Sequence, residues 1–558
     1  MSEPLVRASA RRSRRLSALV TLVPPVLRAS ARRSRGLSAL VALVALVVAA
    51  VPLGIYGWLA GHRLAYPYEL DWLESGTVEL VARALHGQGL YSPPSLAYVG
   101  FTYTPLYSYV AAAVAAVTGV GFLPLRIVSV ASSLIIFVTL AAYVRDVVGS
   151  WVAGAVAAGV FAACYGLSGQ FFDVGRLDSM FLALCLIALW AGRRAGSTRA
   201  GVGVGLIAFL AFFTKQVGLI AVGPALLLAV PWRPRMALAA LGTLIALAGA
   251  STLLLDAATD GWYRYYVVSE LAGQPSIQAK ILGFWTHDLY ANLRQVSWLG
   301  GAGLLVSLAA ARPWRDPRER WRAWGPAVYD LGALAGCFIT AWVSDIHSGG
   351  FLNVLMPALA AAAGIAGWAW GRLRGLPRIG PLAALAASAL LAWQASNLMP
   401  HPQRALPTHR DHVAGAQLIA LLRHLPGPVL ILRHPWYGTA AGQGAFAQSD
   451  GITEVLRSHG PRGARDLRRA LAGSLDRFGI RAVLLDNGEN PPGWLAPQLR
   501  AHFRLVSTHP LSVSLQPPTD INSSPAFLYL RRGAERTSHP RKGPRHDRHR
   551  RTAGQRHL

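Results

Sequence analysis

Acidic residues are scarce in this chain, and several of them crowd into one polar, aromatic stretch. The segment Tyr66 to Pro105 carries Asp71, Glu74 and Glu79 between two strongly apolar runs. A charged group beside hydrocarbon is costly unless it is solvated or used, so such residues mark a site of chemistry. A carboxylate held near a hydroxyl can remove its proton, which makes this stretch a candidate for acid/base work. Asp71 and Glu74 are spaced i, i+3. If Leu70–Leu85 is a short helix along the membrane interface, both share one face and Glu79 falls off it. The bland alternative is a set of solvated loop carboxylates.

The elements that must position these residues are membrane spans. The 558 residues are 53% hydrophobic and only 14% charged, well below the quarter or so usual in soluble chains. The net charge of +28 resides in the N-terminus, short loops and the C-terminal end, which is a topology signal and not a nucleic-acid surface. Cys164, Cys185 and Cys337 lie in apolar runs without metal or disulfide spacing and read as small core residues.

Residues 1–36 form a basic N-terminus with a direct repeat, RASARRSR followed by LSALV. The apolar run Gly36–Ala60 is too long for a signal-peptide core and reads as the first span. After Pro105 apolar runs follow at 105–119, 122–142, 150–168, 178–192, 201–214, 216–230, 236–256, 296–311, 326–343, 351–370 and 381–398. Basic clusters at Arg193–Arg199, Arg233–Arg235, Arg312–Arg322 and Arg372–Arg378 belong in the cytoplasm by the positive-inside rule. The run 105–119 is short of the ~20 residues a span needs, so it is read as partial. That leaves about eleven transmembrane helices within 37–400, with an acidic outer loop at 60–104. The loops Ser168–Asp178, Thr214–Gln216, Ala257–Gln295 and Ser344–Gly350 then open on the same side as the acidic loop. Residues 401–533 alternate helical patterns with short apolar strands, as in a small α/β domain with a partly parallel sheet, here placed outside. The tail 534–558 is basic and reads as disordered.

The ordered motifs Asp71-Trp-Leu-Glu74-Ser-Gly76, Gly87 to Pro93, Tyr103–Tyr107, Gly175–Ser179 and Phe213–Gln216 resemble the GT-C superfamily of integral membrane glycosyltransferases. The branch is that of protein O-mannosyltransferases and aminoarabinose transferases, and the likeness covers roughly 37–400. Here two residues separate the carboxylates, and Ser75 displaces the glycine from Glu74.

The resemblance implies transfer of a sugar from a polyprenyl-phosphate donor to a lipid, glycan or protein acceptor. The reaction would run on the outer face of a bacterial inner membrane. Asp71 is then the first candidate for the base and Glu74 the second. The lipid-phosphate leaving group needs cations, and Arg176, Lys215, Arg264, Lys280 and His347 are the candidates, with Asp178 orienting Arg176 or assisting a metal. Each has a structural alternative: an ion pair for Arg176 and Asp178, snorkelling for Lys215, an interfacial aromatic belt for the Trp262–Tyr266 run around Arg264. The sequence has no D-x-D and no His/Asp cluster of ligand spacing, so the cofactor is unknown, a divalent metal included. A transporter or flippase is the rival class, although no repeat is visible among the spans.

Overall fold

The computed structural model describes residues 36–309, 317–459, 461–487, 490–519 and 523–533; the N-terminal repeat and the basic tail lie outside them. The apolar runs form helices in the expected order: α1 (Gly36–Leu64), α2 (Glu74–Leu85), α3 (Leu106–Thr118), α4 (Phe122–Val148), α5 (Trp151–Ala163), α6 (Asp178–Arg194), α7 (Thr198–Thr214), α8 (Gly218–Ala229), α9 (Pro234–Ala258), α10 (Arg294–Ala309), α11 (Pro317–Asp345), α12 (Met356–Arg374) and α13 (Gly380–Leu398). Ser150 and Ser197 cap α5 and α7 by accepting the Ala153 and Ala200 N–H groups, satisfying donors that a helix start leaves open.

Five described helices are long and apolar enough to cross a membrane, or six if the pair Gly380–Leu398 and Pro402–His424, bent by 48°, is one span. Helices α3, α5, α7 and α8 are shorter apolar helices of 10–17 residues. The helical order expected from the sequence is therefore present, and five or six of the described helices have the length and hydropathy of a full crossing. Runs that look continuous in hydropathy are cut short where the backbone turns at Cys164, Lys215 and Val230. As expected, the run after Pro105 is a short helix of 13 residues.

The acidic stretch is mostly irregular. Helix α2 starts at Glu74 and not at Leu70, so Asp71 lies in the loop before it and the expected shared helical face does not exist. The loop is tied to the bundle by buried ion pairs. Arg63 at the end of α1 meets Asp173 at 3.0 Å, and Arg126 in the first turns of α4 meets Glu74 at 2.6 Å.

The C-terminal region folds around a four-stranded sheet of β1 (Val429–Ile431), β2 (Ala482–Asp486), β3 (Phe503–Ser507) and β4 (Pro525–Arg531) in the order β1-β2-β4-β3. The β1–β2 pair is parallel and the other two pairs are antiparallel, which matches the mixed sheet expected. Alternate side chains serve two cores, as the period of a strand requires. Val429, Ile431 and Leu484 pack on α14 (His409–His424) through Leu418 and Leu422. Leu430, Val483 and Leu485 face Tyr91, Trp262, Tyr263 and Tyr266 of the membrane part. The Trp262–Tyr266 run is thus interior packing between the two regions and not a lipid-facing belt; Trp262, Tyr263, Tyr265 and Tyr266 are all buried.

Candidate active site

The loops at one end of the helices meet beneath the C-terminal domain, and the two leading carboxylates receive very different surroundings. Glu74 is saturated. Its oxygens accept Arg126 Nε at 3.0 Å and Nη2 at 2.6 Å, the Leu70 N–H at 2.7 Å and the Gly175 N–H at 2.6 Å. A Cβ on Gly175 would lie 2.8 Å from Leu125 and 2.9 Å from Glu74, so the glycine of the Gly175–Ser179 motif is what lets the backbone donate there. Glu74 therefore clamps α2, α4 and the 164–177 turn together.

Asp71 is fully buried yet lightly held. Oδ1 accepts the Leu73 N–H at 3.0 Å and Oδ2 the Thr519 hydroxyl at 3.2 Å. Burial raises its pKa, opposed by Arg176 and the Leu73 N–H and aided by Glu74 and Glu69, to about 7. A carboxyl poised there can hold or release a proton near neutrality.

Arg176 is the complementary group. It is 4% exposed, and among the described residues its Nε and Nη1 have no hydrogen-bond partner, while Nη2 donates to the Tyr103 hydroxyl at 3.4 Å. A buried guanidinium with open donors is costly and has the fork geometry that matches an anionic oxygen pair. It borders a small cleft lined by Thr77, Tyr91, Phe101, Tyr103 and Tyr107. Asp178 neither orients Arg176 nor forms the alternative ion pair with it, because it accepts Lys215 Nζ at 2.9 Å and Asn353 Nδ2 at 2.9 Å.

Lys215 is consequently neutralised. It neither snorkels nor stands free; it lies 8% exposed between the Tyr103 and Phe181 rings. Lys280 pairs with Asp345 at 2.6 Å. His347, in the outer turn, donates from Nδ1 to the Ser348 carbonyl at 3.2 Å, with burial lowering its pKa. Arg264 is not brought to the site, since its side chain is 66% exposed and meets only Asp256 at 3.5 Å. His287 is also on the surface, beside Asp288. Glu79 accepts the Thr439 hydroxyl at 2.6 Å, a contact with the C-terminal domain.

The residues that sequence reasoning missed come mainly from that domain. On helix α15 (Ser449–Arg457), Asp450 and Glu454 lie within electrostatic range of Arg176. Burial, then Asp450, pushes Glu454 up to about 8. Glu270, buried nearby, is pushed to about 10 by burial and by Glu454 and Asp450. Arg126 had a readable signal, an arginine inside an apolar run. Asp450, Glu454 and Thr519 had none, being ordinary polar residues of an α/β domain. Among the described residues no three His, Cys, Asp or Glu side chains are grouped so as to hold a metal ion.

The family model for Glycosyltransferase family 87 matches residues 101–340, which include the Arg176, Asp178 and Lys215 segments. No curated protein sequence matches the chain. Among solved structures, apo ArnT from Cupriavidus metallidurans is similar at 13% identity and a TM-score of 0.52, covering 87% of this chain and 97% of that one. The same protein bound to undecaprenyl phosphate gives 15% identity and a TM-score of 0.49, covering 88% of this chain and 98% of that one. The archaeal oligosaccharyltransferase AglB from Archaeoglobus fulgidus gives 13% and 0.48, covering 79% of this chain and 69% of that one. With the family 87 model matching residues 101–340 and the fold of ArnT spanning most of its length, the chain is similar to integral membrane glycosyltransferases of GT-C type.

Proposed function

We propose that the protein moves a sugar from a polyprenyl-phosphate carrier to a hydroxyl of an acceptor on the extracytoplasmic face, with Asp71 as general base and Arg176 as the anchor of the donor phosphate. The observation that carries this reading is the pairing of a buried carboxyl near neutrality with a buried guanidinium whose Nε and Nη1 lack partners among the described residues. Asp71 takes the proton of the acceptor hydroxyl as its oxygen attacks the anomeric carbon. The new C–O bond forms on one side while the bond from that carbon to the phosphate oxygen breaks on the other. The electron pair leaves on the lipid phosphate, and Arg176 stabilises the added negative charge.

Glu74 is assigned the structural clamp, because four donors occupy its oxygens. Lys215, Asp178 and Asn353 form a neutral strut beneath Arg176 in this reading, which leaves Arg176 as the open cation. An extracytoplasmic site in a bacterial inner membrane fits the basic clusters of the opposite loops.

The test is transfer of radiolabelled sugar from a panel of polyprenyl-phosphate donors in membranes, at matched expression. Asp71→Asn is expected to lower kcat by roughly 10²–10⁴-fold, the range for a positioned base, with donor KM little changed. Arg176→Gln is expected to raise donor KM and lower kcat together. An Asp71→Asn enzyme of wild-type kcat would rule the base assignment out.

A further inference from the structure

We propose that the C-terminal domain is a working part of the catalytic centre, in which Thr519 positions the Asp71 carboxylate and His434 locks the loop that carries it. The reading rests on Asp71 as the base. The loop between α1 and α2 is irregular and offers few hydrogen bonds of its own, yet from Glu69 to Trp72 every residue is gripped by the C-terminal domain. The Glu69 N–H donates to the Tyr437 hydroxyl at 3.0 Å, and its carboxylate receives His434 Nδ1 and the Ser75 hydroxyl. The Leu70 carbonyl accepts the Thr519 N–H at 3.3 Å. Asp71 Oδ2 accepts the Thr519 hydroxyl at 3.2 Å. The Trp72 carbonyl accepts Gln448 Nε2 at 2.8 Å, and its ring lies 4.9 Å from the Arg433 guanidinium.

The grip is anchored in the sheet. His434 Nε2 meets Asp486 Oδ2, at the end of β2, at 3.0 Å, and Ser523 donates to the same oxygen at 2.6 Å. Glu69, His434 and Asp486 are all buried. Burial alone would lower the His434 pKa, but Asp486 and Glu69 outweigh it and push it up to about 10, so a charged imidazole bridges two carboxylates across the junction. A buried, fully paired bridge fixes geometry more than it adds stability. A base must be held to within about 0.5 Å of its working position. Gly76 belongs to the same fit, because a Cβ there would run into Gln448 and Phe101. Ser75, which displaces this glycine from Glu74 in the motif, uses its hydroxyl on Glu69.

The experiment uses the full-length protein in membranes, with Thr519→Val, Thr519→Ser and His434→Gln. A hydroxyl donated to a carboxylate favours its ionised form, and Asp71 also faces Arg176, Glu74 and Glu69. Thr519→Val is therefore expected to move the acid limb of transfer to higher pH and to lower kcat by about 10- to 100-fold. Donor KM should stay unchanged, and Thr519→Ser should restore both values. His434→Gln is expected to speed amide hydrogen exchange across 69–74 while exchange in α12 stays as in the wild type. Wild-type kcat and pH profile in Thr519→Val, or unchanged exchange at 69–74 in His434→Gln, would overturn the proposal. The exchange measurement needs no turnover. A failure of the Asp71 assignment, read from Asp71→Asn, is therefore separable from a failure of the grip.

Discussion

Asp71 and Glu74 lie three residues apart and carry the same functional group, and their neighbours decide which can exchange a proton. Glu74 faces a guanidinium and two backbone N–H groups at hydrogen-bond distance, so both of its oxygens are occupied. Asp71 sits in the opposite balance, with burial raising its pKa to about 7 against the pull of Arg176. In its proposed role as base Asp71 acts in its ionised form, so activity is present above that pKa and is lost as pH falls through it. Transfer by the wild type should therefore show an acid limb near pH 7, read as kcat against pH. A profile flat across about two units on either side would remove Asp71 from the rate equation. This contrast was half legible in the sequence. Scarce acids in an apolar chain pointed to the loop, but the choice between the two carboxylates turned on Arg126 and Gly175, which lie far along the chain from them.

At the scale of elements, the clamp of Glu74 on Arg126 ties α2 to α4, and Arg126 also donates to the carbonyls of Tyr66 and Tyr68 at 2.6 Å each. Both side chains of the pair are fully buried. Removing one partner of such a pair leaves an uncompensated charge and costs about 3–5 kcal/mol. Arg126→Met should thus lower the unfolding temperature of the detergent-purified protein substantially, and adding Glu74→Gln should recover most of the loss. A single variant as stable as wild type would contradict the clamp. Helix order and the mixed sheet were readable from hydropathy and from strand alternation. The length of the spans was not, because an apolar run does not show where its backbone turns. The burial of the Trp262–Tyr266 run was not readable for a related reason. Aromatic residues suit a lipid interface and a buried seam equally well, and only the sheet face packed on them distinguishes the two.

Across the whole molecule, membrane loops and C-terminal domain share one apolar core that runs from Leu80 and Tyr91 through Trp262 to Leu430 and Val483. The domain must then lie on the same side of the bilayer as Asp71. The native cysteines are buried, so a cysteine introduced at exposed Ser512 should react with a membrane-impermeant maleimide from the extracytoplasmic side of intact cells. Labelling only after the cells are opened would place the domain in the cytoplasm and refute the topology. The pairing of residue 71 with residue 519 also has a consequence in time. At the ~5–20 residues per second of ribosomal synthesis, Thr519 emerges roughly 20–90 s after the loop it holds. During that interval the nascent chain already has its early helices and its carboxylates, but not the Thr519 contacts that hold Asp71. On the proposed reading the chain is born idle, since a half-made transferase without its C-terminal domain would lack the hydrogen bond to Asp71 and leave carrier-linked sugar unconsumed.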